Sequence, residues 1–313
     1  MVCKTRMDLL GALGVLVRVA ETGSFSAVAR EREISQSAVT RQISQLEEHF
    51  KVRLFHRTTR RLSLTDDGEV LLGHARTVLD EVETMEVALG RQSSSPTGLV
   101  RLGITVVGSR FLTPRLPLLL DAHPGLKVEL VVSDKVTDMI EERLDLAVRA
   151  GEQTDSSLRA RIAGMFGRAV CAAPAYLERH GAPSSPSALA EHVCLVHDTG
   201  PESDVWRFDT PDGVQTVRVS GGFIANDSSA VRLAARAGHG IALLAEIQAF
   251  DDLRDGSLVR LLNEYEVQRR PVYVVYPSRR HLAPRTRLVM EFLLQQYRMI
   301  EGVLAGEAEE LRV

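Results

Sequence analysis

Five residues in one short stretch have the types and spacing to read base edges of a nucleic acid: Gln36, Ser37, Thr40, Arg41 and Ser44. Short amides and hydroxyls offer donors and acceptors while letting a helix backbone come close, and an arginine can bond two acceptors at once. Their spacing puts all five on one face of a helix predicted over Gln36 to His49. The other face holds Val39, Ile43, Leu46 and Phe50, at steps of four, three and four, which is the stripe a helix turns toward a core. An ordinary solvated helix would fill its polar face with Lys and Glu instead.

Such a helix needs a frame, and the flanking residues supply one. Ser26 to Arg32 predicts a short helix burying Val28 and Ala29, Glu33-Ile34-Ser35 makes a tight turn, and Ser35 is placed to cap the next helix. Val52 to Arg57 and Leu62 to Leu64 read as two short strands around the basic tip Thr58-Thr59-Arg60-Arg61. Helix, turn, helix and basic hairpin, from Ser24 to Thr65, spell a winged helix-turn-helix. Here Arg30, Arg32, Arg41, Lys51, Arg53, Arg57, Arg60 and Arg61 outweigh Glu31, Glu33, Glu47 and Glu48, although the whole chain carries a net charge of -3. Positive charge gathered on one small module is the footprint of a phosphate contact, which adds Arg57, Arg60 and Arg61 to the candidate set. A first helix over Met7 to Glu21, ended by Gly23, completes a domain over residues 1–65.

Thr65-Asp66-Asp67 opens a second long helix with a hydroxyl cap and carboxylates at the positive end of the dipole. It is predicted over residues 66–92, where Leu71, Ala75, Val78, Val82, Met85 and Leu89 follow alternating steps of four and three, a heptad seam. Packing on the rest of its own chain is one reading. A partner helix from a second copy suits better a helix otherwise bearing Asp80, Glu81, Glu83, Glu86 and Arg91. Residues 93–98, Ser-Ser-Ser-Pro-Thr-Gly, read as a hinge, and beyond them strands alternate with helices as in an open α/β sheet.

The runs ETGSFSAVAR and SQSAVTRQISQLEEHFKVRLFHRTTRRLSLTDDGE resemble the N-terminal signature of LysR-type transcriptional regulators. The likeness is specific over residues 7–91 and diffuse after that. It implies a DNA-binding domain, a long linker helix and a two-lobed effector-binding domain like a periplasmic solute-binding protein, with Gln36, Ser37, Thr40 and Arg41 as base and backbone contacts. It also suggests a homotetramer, through pairing of regulatory domains. Gly11 and Gly14 depart from the pattern, since each Gly weakens a helix by about 0.5 to 1 kcal/mol relative to Ala. Lobe I then spans about 99–167 and 269–300, lobe II about 168–268, and an acidic, disordered tail 301–313. Predicted elements are strands at Leu99 to Ile104, Leu126 to Val132, Leu144 to Arg149 and Val272 to Tyr276. Helices are predicted at Thr113 to Ala122, Val136 to Arg143, Ala175 to His180, Ser228 to Ala237 and Pro284 to Tyr297.

Ligands of open α/β sheets bind beyond the carboxyl ends of strands, near helix N-termini. That nominates Thr105, Ser109, Ser133, Asp134, Arg149, Phe223, Asn226 and Asp227, and the resemblance places effectors at the same loops. One arginine among several donors suits a small organic carboxylate, aromatic acids included. Equally, Arg149 could pair with Asp134 or Glu152 and only brace the hinge. No other cofactor and no metal site is expected: the histidines lack metal-ligand spacing, and Gly238-His239-Gly240 follows a helix and precedes a strand, the reverse of a dinucleotide loop. With no Walker A, G-x-S-x-G or H-E-x-x-H motif, an enzyme on this scaffold is disfavoured. A solute-binding protein is disfavoured by the basic N-terminal module and the lack of a leader-like apolar run. Cys3, Cys171 and Cys194 are scattered, as in a reducing compartment, and Cys171 with Cys194 as a redox pair is the less favoured reading of two buried thiols. Apolar runs are too short to span a bilayer, so a cytoplasmic protein partnered by double-stranded DNA, by itself and by an effector is expected, with no membrane. The 313 residues, 44% hydrophobic and 25% charged, suit two or three globular domains.

Overall fold

The computed structural model describes residues 7–57, 62–89, 96–135, 139, 141–151, 158–210, 213–277 and 282–310. They fall into two compact units, one running to Ser94 and one holding most of the chain beyond it.

The first unit contains α1 (Leu9–Thr22), α2 (Phe25–Glu31), α3 (Gln36–Phe50), the antiparallel hairpin β1 (Phe55–Arg57) and β2 (Leu62–Leu64), and α4 (Asp66–Ala88). Each of the first three helices starts on a side-chain cap. Asp8 accepts from Gly11 N at 3.0 Å, and Ser24 and Ser35 accept from Ala27 N and Ala38 N, each at 3.2 Å. Val15, Leu16, Val28, Val39, Leu46 and Leu54 meet in one core. The two glycines that weaken α1 are where it is approached most closely: a Cβ on Gly11 would strike the Asp8 carboxylate, and one on Gly14 would lie 2.9 Å from Arg32 Nη2. Phe50 does not continue the buried stripe of α3. It sits in the last turn, 40% exposed and edge-on to His49 at 4.8 Å. Glu47 goes in instead, because its Oε1 accepts the Leu54 N–H at 2.9 Å and so satisfies a buried backbone donor. α4 is described to Ala88, short of Gln92.

The second unit has two five-stranded sheets. Lobe I contains β3 (Gly98–Ile104), α5 (Val106–Leu112), α6 (Leu116–Ala122), β4 (Leu126–Val132), β5 (Leu146–Ala150) and β6 (Leu158–Phe166). Lobe II continues the chain with β7 (Arg168–Ala172), α7 (Pro174–His180), β8 (Cys194–His197), β9 (Val205–Thr210), β10 (Gly213–Arg218) and β11 (Ile224–Ala225). It is completed by α8 (Ser228–Arg236), β12 (Ile241–Ala245), α9 (Glu246–Arg254), β13 (Val259–Leu261) and β14 (Glu266–Val267). β15 (Arg270–Pro277) returns to lobe I between β5 and β6, and α10 (Pro284–Glu310) closes the chain. The strand orders are β4-β3-β5-β15-β6 and β11-β8-β12-β7-β13, and each sheet is parallel at one side and antiparallel at the other. The chain therefore crosses between lobes twice, at Gly167 and between β14 and β15. A side chain at Gly167 would collide with the Glu246 carboxylate.

The structure departs from the sequence reading at four points. The helix expected over Thr113 to Ala122 is present as a 3-10 turn at Thr113–Arg115 around Pro114 followed by α6. It is preceded by an unexpected helix, α5, which starts at Val106 because Thr105 caps it despite the β-branched start. Of the helix expected over Val136 to Arg143, residues 141–143 form a turn, and 136–138 and 140 lie outside the described residues. α10 runs on to Glu310 instead of ending in a disordered tail, carried by helix formers and by Leu304, which is buried. β6, β9, β10, β11, β13, β14 and α9 had no predicted counterpart.

Candidate nucleic-acid interface and effector cleft

On α3, Gln36, Ser37, Thr40 and Arg41 are exposed, and Ser44 is half-buried at the edge of the same face. Two hydroxyls are held in place by their own helix: Thr40 Oγ1 donates to Gln36 O at 3.0 Å, and Ser37 Oγ lies 2.9 Å from Ser35 Oγ. Fixing them in advance lowers the cost of ordering them against DNA. Three acidic groups of the module, Glu21, Glu31 and Glu47, are ion-paired. Arg18 reaches Glu31 at 2.6 Å and also pairs with Glu21, which raises its pKa further, chiefly through the Glu31 bond. Arg53 lies 3.5 Å from Glu47. Arg60, Arg61 and the side chain of Arg57 lie outside the described residues.

The α4 stripe divides. Ala75 is buried in the core of its own unit, and Leu71, partly buried, packs against the same core. Past them Val78 is 43%, Met85 51% and Leu89 79% exposed, with Val82 half-buried between.

The second unit holds a cavity of about 440 Å³ between its lobes, a size that suits a small ligand. Thr105, Ser133, Asp134 and Arg149 line it. Ser109, Phe223, Asn226 and Asp227 do not. Ser109 Oγ is turned back to donate to Val106 O at 2.9 Å, and Asp227 caps α8 by accepting from Ser229 N at 2.7 Å and Ala230 N at 3.1 Å. Phe223 and Asn226 are exposed on the loop around β11, outside the cavity.

The expected open helix N-termini are already occupied. Asp134 Oδ1 accepts from Val106 N of α5 at 2.8 Å, and its Oδ2 accepts from Ser228 N of α8 at 3.0 Å. His197 Nε2 lies 3.3 Å from Oδ2, at an angle that misses a hydrogen bond. Burial would raise the pKa of this carboxyl, but His197 and the two backbone donors outweigh it and hold the value at about 2. One lobe I carboxylate thus bridges to lobe II, filling the place where a ligand anion was expected.

Charged groups missed by the sequence reading lie nearby. Arg168 opens β7, Arg207 sits on β9 and Arg270 opens β15, and all three line the cavity with the buried Trp206 and Tyr297. Arg168 Nε and Tyr297 Oη are buried without a hydrogen-bond partner. Arg168 is held down at about 9, first by burial and then by the charges of Arg270 and Arg207; Arg270 is lowered by burial and by Arg207. Arg207 has a carboxylate partner, Glu202 at 2.6 Å. The available signal was the position of Arg168 and Arg270 at the two lobe crossings. Cys171 and Cys194 are buried on β7 and β8, which flank β12 and so lie roughly 10 Å apart, too far for a disulfide. Burial pushes both thiols up to about 12.

Residues 10–69 match the family described as bacterial regulatory helix-turn-helix protein, lysR family, and residues 93–298 match LysR substrate binding domain. The chain belongs to the LysR-type transcriptional regulators. It is accordingly a DNA-binding regulator with an effector-binding domain. An uncharacterized HTH-type transcriptional regulator of Haemophilus influenzae is 33% identical, the alignment covering 88% of this chain and 96% of that one. The HTH-type transcriptional activator AaeR of Escherichia coli is 31% identical, covering 93% and 94%. Among solved structures, CrgA of Neisseria meningitidis aligns at a TM-score of 0.60 with 31% identity, covering 92% of this regulator and 98% of CrgA. Full-length AphB of Vibrio cholerae aligns at 0.58 with 27% identity, covering 91% and 98%. No helix among the described residues of this LysR-type regulator is long and apolar enough to cross a membrane.

Proposed function

We propose that this regulator is controlled by a small organic anion, a carboxylate, bound between the lobes of its second unit. The observation that carries this is the charge of the cavity wall. Among the described residues Lys135, Arg149, Arg168, Arg207 and Arg270 line it, and the carboxylates of Asp134 and Glu202, which line it too, are engaged. Arg149, with the hydroxyls of Thr105 and Ser133, is the proposed carboxylate seat, supported by the strand-end position of all three. Ligand binding would change the relation between the lobes by as much as it prefers one arrangement over another. Calorimetry of organic acids against wild type and Arg149→Ala tests the seat. Equal affinity of both proteins for an acid that alters DNA binding would remove Arg149.

DNA would be read by Gln36, Ser37, Thr40, Arg41 and Ser44, with Arg57, Arg60 and Arg61 on phosphates. The stripe of exposed Val78, Met85 and Leu89 with half-buried Val82 supports a homodimer through α4 whose symmetry is mirrored in an interrupted palindromic site. Pairing of such dimers would give a homotetramer. The protein would act in the cytoplasm and catalyse no reaction. Val82→Glu puts a charge into this seam, so an unchanged molar mass in light scattering would overturn it.

A further inference from the structure

We infer that the effector carries two anionic groups, the second held by a separate site that Arg168, Arg270 and Arg207 form where the chain crosses between the lobes. This deepens the reading above and rests on it, since it places a second subsite in the same cavity.

Three observations converge. The three arginines come from segments far apart in sequence, yet all line one cavity and act on one another as charges. The charges felt by Arg168 and Arg270 are those of other arginines, and Arg168 Nε is buried without a hydrogen-bond partner. Cations gathered on one cavity wall repel one another unless an anion joins them, and elsewhere in lobe II the chain supplies that anion. Buried Arg232 is bonded at 2.5 and 2.6 Å to both oxygens of Asp252. In the cavity, Asp134 is spent on the two helix N-termini and Glu202 on Arg207.

The sheet register sets the backbone separation of the residues that form the two subsites. Arg149 on β5 is paired with Tyr273 on β15, and Arg270 lies three residues earlier on that strand. Three steps along a strand are about 10 Å. Both arginines line one cavity of about 440 Å³, so a carboxylate at Arg149 and a second at Arg270 and Arg168 suit one small dicarboxylic acid, with Trp206 and Tyr297 beside it on the wall. Arginine is suited to this because its planar fork can bond both oxygens of a carboxylate.

The test is calorimetry on the full-length protein with α,ω-dicarboxylates from malonate to adipate and with phthalate. Butyrate, benzoate and inorganic phosphate serve as singly headed or compact controls. At least one dicarboxylate is expected to bind tenfold or more tightly than every monocarboxylate and phosphate. Arg270→Gln and Arg168→Gln should each erase that preference while leaving monocarboxylate binding within about twofold. Without ligand, both variants should melt at or above the wild-type temperature, because each removes a cation facing cations; a lower melting temperature for both would assign these arginines to the fold and overturn the site. Monocarboxylates binding as tightly as dicarboxylates would overturn the second subsite but leave an anionic effector standing. Binding by phosphate alone would overturn it in favour of a single compact anion site. If no acid in the panel binds wild type, both readings fail together.

Discussion

On α3 the polar groups stand in solvent and are oriented by their own helix. In the cleft the cations converge on one cavity, brought together from β5, β7, β9 and β15. The difference comes from the partners. A DNA backbone is a large polyanion that meets an exposed surface and releases counterions as it does so, so exposed charge suffices. A small anion offers few contacts and needs several cations converging on it, whose mutual repulsion costs stability until it arrives. Charge that supports the fold is treated in a third way, buried with its partner, as Arg232 is with Asp252.

The largest effect should come from that third class. Asp252→Ala leaves Arg232 as an uncompensated buried cation and should cost about 3 to 5 kcal/mol. Urea unfolding followed by the fluorescence of Trp206, the only tryptophan, reads this lobe directly. A cost below about 1 kcal/mol would erase the distinction between supporting and functional charges.

Asp134 comes next. Its folded pKa of about 2 lies below the ordinary value of 3.8, so its contribution, about 2 kcal/mol, is present above pH 4 and lost as pH falls through 2. Asp134→Asn should thus be less stable than wild type at pH 6, and the gap should narrow steadily below pH 4. A gap that stays constant over that range would mean that Asp134 does not act through its charge.

On the DNA-reading side single changes should cost less, because no buried charge is at stake. Ser35→Ala removes the cap on α3 and should cost about 1 kcal/mol. Thermal unfolding of the first unit would read it. Smallest is Glu33→Gly, which relieves a left-handed residue (φ 54°) in the turn between α2 and α3 and should gain roughly 0.5 kcal/mol. A loss there would show that the Glu33 side chain has a role of its own.

The same contrast explains what could be read from sequence. α3 is a contiguous stretch whose cap, apolar stripe and polar face are all set by steps of three and four, so Ser35, Val39 and Arg41 could be placed on it directly. Phe50 and Glu47 exchanged roles because a backbone N–H seven residues on, at Leu54, decided the matter. In the cleft, Thr105, Ser133, Asp134 and Arg149 come from the rule that strand ends bear ligands. That rule cannot tell that Asp134 fills the helix N-termini, or that Asp227 is spent as a cap. Arg168, Arg207 and Arg270 come together only through the two lobe crossings, which no local pattern encodes. Ala75 looked like a seam residue because one heptad stripe serves two surfaces, the domain core at its start and solvent beyond Val78.

DNA reading by α3 is tested most directly by fluorescence anisotropy of the DNA upstream of the coding region, titrated with full-length protein at physiological salt beside a scrambled fragment of equal length. Wild type should prefer the upstream DNA by about 10³-fold or more. Arg41→Ala should shrink that preference by about 1 to 3 kcal/mol while leaving scrambled DNA bound nearly as before. Equal binding of both fragments by wild type, or an unchanged preference in Arg41→Ala, would contradict it.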